Sequence, residues 1–93
     1  MRKMKTIAAA EDEFFDKIWY SRHMYLKQRI ESGEETCDPE VWKRALEAEK
    51  RIREKYGVEE NILPKNDFEW GMMNGKLSAL RWVLGEEWDF LDT

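Results

Sequence analysis

Residues 66–85 read NDFEWGMMNGKLSALRWVLG, the most apolar stretch of a heavily charged chain. Its ends carry clear signals. Asn66 is a good N-cap, because its side-chain oxygen can accept from an amide of the first turn, and Glu69 three residues later can reach back to the cap amide. Asp67 and Glu69 also set negative charge at the positive end of the helix dipole. Gly85 fits the left-handed position just past a last turn. The spacing predicts a helix over about 67–84. Its apolar residues do not form one narrow stripe. Phe68, Met72, Ala79 and Val83 lie along one side, and Trp70, Met73, Leu77, Leu80 and Leu84 along another. Only Asn74, Lys76, Ser78 and Arg81 interrupt them. A helix apolar around most of its circumference is expected to be covered on two or more sides.

Gly71, Gly75 and Ala79 stand at i, i+4 and i+8, a strip of missing side chains along this helix. Each internal glycine costs roughly 0.5–1 kcal/mol relative to alanine, so close approach of another helix or a bulky ring is expected there. The membrane reading of such a strip fails, because Glu69, Lys76 and Arg81 interrupt it and a span needs about 20 uninterrupted apolar residues.

Working outward, the chain of 93 residues is expected to form a single domain with one modest core. Five Trp, four Phe, three Tyr and five Met supply material for that core. The net charge of −4, with both signs interspersed, describes solvated helix faces and does not indicate a nucleic-acid partner. Cys37 is the single cysteine, which excludes an intramolecular disulfide and a multi-cysteine zinc site. The amino end has basic residues, but its apolar run, residues 7–10, is too short for a signal-peptide core. These features are read as cytoplasmic, with residues 1–6 frayed.

A first helix is expected over about 9–32, stopped by Gly33. Phe15, Trp19, Leu26 and Ile30, with Phe14, Ile18 and Tyr25 beside them, make a wide apolar face that contains Arg22. Arg22 either lays its stem on that face with its head in water, or pairs with a buried carboxylate. His23, the only histidine, flanks the face and reads as a packed or half-exposed side chain, with no second ligand to support a metal or acid–base role. Asp38 as N-cap and Pro39 at the first position open a second helix over 39–56 that Gly57 stops. Its expected buried stripe is Val41, Ala45, Ala48 and Ile52, with Trp42, Leu46 and Tyr56 at the margins. Glu40–Arg44, Glu47–Arg51 and Glu49–Arg53 are read as solvent-facing pairs. Residues 58–65 form a loop that folds Ile62 and Leu63 onto the core, and no segment alternates as a strand would. The tail after Gly85, EEWDFLDT, is expected to pack back on the helices with Trp88 as its anchor.

No phosphate-cradling loop and no nucleophilic triad can be built from these residues. The carboxylate pairs Glu31–Glu34 and Glu86–Asp89 have the spacing of magnesium-binding helical enzymes, but the first runs into Gly33 and the second follows Gly85, so neither lies inside a helix.

One resemblance is found. Phe68-Glu69-Trp70-Gly71, then residues 74–85 (NGKLSALRWVLG), then Trp88-Asp89 and Leu91-Asp92-Thr93 resemble the closing segment of small bacterial, phage and metagenomic proteins with no established activity. It covers about the last quarter of the chain. It implies a prokaryotic, mobile-element setting and carries over no catalytic residue.

The expected fold is therefore all-α, a dimeric three-helix bundle with helices at about 9–32, 39–56 and 67–84 and an ordered tail at 86–93. The expected function is a non-enzymatic protein–protein interaction or oligomerisation module. It would form a homodimer through the first and third helices, bind an unidentified protein partner, and use no cofactor, metal, membrane or nucleic acid. The residues expected to carry the interaction are Trp70, Gly71, Gly75, Ala79 and Trp82 on the third helix and Trp88, Phe90 and Leu91 in the tail. The competing reading is a small-ligand binder or acidic-residue enzyme using Arg22, His23 or Arg81 in a pocket between helices.

Overall fold

The structure, a computed structural model, describes residues 1–88. The fold is all-α: α1 (Met4–Glu31), α2 (Pro39–Tyr56) and α3 (Asp67–Val83), with a short 3-10 turn at Glu59–Asn61 and no strand among the described residues. The described residues gather into two compact units. The first takes Met1–Ile18 together with the described residues from Pro64 onward, and the second is Trp19–Leu63.

α1 starts about one turn earlier than its sequence suggested. The amides of Thr6 and Ile7 donate to the Lys3 carbonyl, and Ile7 is buried. The expectation that residues 1–6 fray is therefore corrected: Met4, Lys5 and Thr6 are helical, because Ile7 anchors the turn that follows them. At its other end α1 closes with two crossed bonds, Gly33 amide to Ile30 carbonyl and Glu34 amide to Arg29 carbonyl, while Gly33 adopts a φ of 84°. That double closure around a left-handed glycine is the Schellman arrangement. Gly85 repeats it at the end of α3, with the Glu86 amide on the Arg81 carbonyl.

The other caps follow the sequence with one change. The Asp38 side chain accepts from the amides of Glu40 and Val41, with Pro39 at the first position. Asn66 accepts from the Glu69 amide at 2.9 Å. Glu69, however, reaches past the cap and accepts from the Lys65 amide at 2.8 Å, tying down the loop one residue further out.

In the second unit the core is Tyr20, Ile52 and Ile62, with Trp19, Met24, Tyr56 and Leu63 packed against it. Ile62 and Leu63 fold inward as their place in the loop implied. α2, however, is turned from its expected orientation. Val41 is 53% exposed, while Ala45, Ala48 and Ile52 of the expected stripe are half-buried or buried. Trp42, Glu49 and Tyr56 join Ala45 and Ile52 in a heptad-like stripe at i, i+3, i+7, i+10 and i+14 whose third member is an acid. Glu49, read from sequence as a solvated partner of Arg53, is buried. α1 is also corrected. Phe15, Tyr25 and Leu26 are exposed, and so is Arg22, while Phe14, Ile18, Trp19 and Ile30 of the expected face are buried or half-buried.

In the first unit α3 buries only Leu77 fully. Trp70, Met73, Leu80 and Leu84 are half-buried on the same side. The opposite side is exposed among the described residues, so the expected cover on two or more sides is not found there.

Candidate functional site

Two arrangements stand apart from ordinary packing: a closed polar cluster in the second unit and an open apolar face in the first.

The polar cluster is built on α1 and α2. His23 Nε2 lies 2.7 Å from Glu49 Oε1, and Lys27 Nζ donates to both carboxylate oxygens at 3.2 and 3.1 Å. Arg53 stands further off at 3.9 Å. His23 follows Trp19 by one helical turn and stacks on it, with ring centroids 4.7 Å apart and planes 8° from parallel. Trp42 closes the other side at 5.3 Å. The imidazole is thereby 2% exposed, the packed one of the two placements its spacing allowed. Burial by itself would raise the Glu49 pKa, but the hydrogen bonds from His23 and Lys27 outweigh it and hold the carboxyl below its ordinary value of 4.5. The carboxylate is thus ionised, and His23 Nε2 is its donor. A general acid or base must reach its substrate. Here two indoles seal the imidazole, and the carboxylate is fully engaged, so the cluster is a structural ion pair. Among the described residues, no group of three or more His, Cys, Asp or Glu side chains is placed to hold a metal ion.

The open face belongs to α3. Phe68 is 74% exposed and Trp82 51%; Met72 and Val83 are also exposed, as are Gly71, Gly75 and Ala79. At 100° per residue these seven positions fall within one arc of about 120°. No charged side chain lies inside it. Lys76 borders one edge, its ammonium 5.5 Å from the Phe14 ring centre. Arg81 points to the inner side, where it meets Glu11 at 3.4 Å and lies over the Phe15 ring. Beside the face runs an apolar groove of about 450 Å³ lined by Ile7, Ala10, Phe14, Ala79 and Leu80, with Arg2, Thr6 and Lys76 as its polar members. Arg22, His23 and Arg81 are not part of its lining.

The structure divides the interaction residues expected from sequence. Gly71, Gly75, Ala79 and Trp82 share the open face. Trp70 lies on the inner side of α3, half-buried, with its carbonyl accepting from Asn74. The small-residue strip meets no close neighbour among the described residues: a Cβ added at Gly71 or Gly75 would find none of their atoms within 4 Å. Trp88 does turn back, stacking on Trp82 at 5.2 Å and 11°, yet it stays 46% exposed. Phe90 and Leu91 lie outside the described residues.

The tail's anchor is therefore weaker than a buried indole. Trp88→Ala should cost about 0.5–1.5 kcal/mol, the worth of a stacked aromatic pair, where full truncation of a buried indole would cost about 3–5 kcal/mol. A thermal melt would show a fall of a few degrees up to roughly 12 °C. A larger fall would mean that Trp88 supports more than the Trp82 ring.

The chain matches no protein-family model, no curated protein and no solved structure. No described helix is long and apolar enough to cross a membrane.

Proposed function

We propose that this chain is a non-enzymatic protein-interaction module that self-associates, with the outer face of α3 as its working surface. One observation carries the reading. Phe68, Met72, Trp82 and Val83 are all exposed on a single uncharged side of a helix in an otherwise charged protein. Contiguous apolar surface of this kind marks an interaction site. Trp82 and Trp88, stacked and half in water, extend the face beyond the helix end. The polar cluster supports the same reading from the other side, since its ionisable groups are consumed in holding α1 to α2. The resemblance of residues 68–93 to small bacterial and phage proteins adds a prokaryotic, mobile-element setting.

Light scattering at micromolar concentration tests the reading. The expected mass is about twice the 11.3 kDa of one chain. A mass of one chain throughout that range would overturn self-association.

A further inference from the structure

Resting on the interaction-module reading, we infer that the occupant of the outer α3 face is the same face of a second copy, in an antiparallel pair whose two-fold axis passes at Gly75. The register follows from the residues themselves. An axis at position 75 sets residue 75+n of one copy opposite residue 75−n of the other. Gly75 then meets Gly75, Gly71 meets Ala79, and Phe68 meets Trp82. Small residues fall where the backbones cross, and large aromatics fall against each other at both ends. An isologous interface requires this self-complementarity, in which the contacts of one half repeat in the other.

Three further observations agree with it. First, glycine at 71 and 75 weakens the helix, and nothing among the described residues occupies the space a side chain would take. Close approach of a second helix gives those glycines a reason, since helix axes come as near as about 8 Å only where side chains are small. Second, the area suffices. The exposed fractions of Phe68, Trp82 and Trp88, at roughly 200 Å² per aromatic side chain, give about 340 Å², and Met72 and Val83 raise this towards 500 Å² per copy. A pair would bury about 1,000 Å², the lower bound for a specific interface. Third, each chain carries a net charge of −4, so a stable pair needs a face without acids. The outer arc of α3 has none. In this register Met72 faces Ser78 and Val83 faces Asp67, so the self-complementarity rests on the Gly71, Gly75 and Ala79 crossing and the two Phe68–Trp82 ends.

Cysteine cross-linking in a Cys37→Ser background tests the register. Gly75→Cys should form an intermolecular disulfide, because the axis brings the two Cα atoms within the roughly 4.4–6.8 Å that a disulfide spans. A mixture of Gly71→Cys and Ala79→Cys chains should cross-link, whereas either variant alone should not, its two sites lying about 12 Å apart along the pair. Gly75→Leu should weaken the dimer about tenfold or more by overpacking the crossing, while the monomer melts no lower than wild type. Self-linking of Gly71→Cys alone would overturn the antiparallel arrangement in favour of a parallel one. A dimer by light scattering that none of these variants cross-links would overturn this face while leaving self-association standing. A monomer by light scattering would remove both.

Discussion

Glu49→Ala should destabilise the protein by about 3–5 kcal/mol and lower its melting temperature by roughly 12 °C or more. The substitution removes the acceptor that His23 and Lys27 share. Lys27 is partly exposed and can turn its ammonium to water. His23 cannot, because Trp19 and Trp42 enclose it, and its donor is left buried without a partner. That orphaned group, more than the lost attraction, sets the size of the effect. The double variant His23→Phe with Glu49→Leu should recover much of the loss, since replacing both members of a buried pair by apolar residues is often near neutral. A double variant as unstable as the single one would show that the ion pair is not the cause.

The same cluster gives an acid dependence with a definite sign. Glu49 titrates lower when folded than when unfolded. Its contribution is therefore complete above the unfolded value of 4.5 and is lost as the pH falls through the lower folded value. Wild type should lose stability through that window, and Glu49→Ala should lose less. Melts from pH 7 down to about pH 3 would show the difference as converging curves.

Much of the fold could be read from the residues, and where it could not, polar side chains had overruled apolar counting. Caps and stops are local. Asp38, Asn66, Gly33 and Gly85 act on amides and carbonyls a few residues away, and all four behave as their positions imply. Orientation is not local. On α2 the apolar residues Val41, Ala45, Ala48 and Ile52 define one stripe, yet the buried stripe is rotated by about 50° to bring in Trp42 and Glu49. On α1 the expected face keeps Phe14, Ile18, Trp19 and Ile30 but loses Phe15, Tyr25 and Leu26, while Tyr20 and His23 turn inward. Both rotations have one cause: His23 and Tyr20 meet carboxylates, Glu49 and Glu59, that lie 26 and 39 residues away in sequence. A signal was present in the heptad spacing of Trp42, Ala45, Glu49, Ile52 and Tyr56, but only a reading that admits an acid to a core stripe finds it. The open face shows the opposite limit. Its members could be named from the sequence, but whether the rest of the chain covers them depends on the tertiary fold.

Tyr20 is the other position where one side chain decides a unit. It has no exposed surface, it lies in the core with Ile52 and Ile62, and its hydroxyl donates to Glu59 Oε1 at 2.9 Å. Tyr20→Ala should cost about 3–5 kcal/mol, because a large aromatic leaves a cavity that the neighbouring side chains fill only in part. Tyr20→Phe keeps the ring and removes only the donor, so its cost should stay near 1–3 kcal/mol. The phenol adds an alkaline counterpart to Glu49. Burial first, and then the Glu59 carboxylate, push its pKa from 10.0 up to about 12. A folded value raised above the unfolded one favours the neutral phenol. Its contribution is complete below pH 10 and declines as the pH rises towards about 12. Wild type should therefore lose stability over that range, and Tyr20→Phe should not share this component. Absorbance of tyrosinate during the titration checks the assignment: one of the three tyrosines should ionise late, together with unfolding, and that phase should vanish in Tyr20→Phe. If Tyr20→Ala instead melts within roughly 4 °C of wild type, the loss is under about 1 kcal/mol and the second unit does not depend on this core.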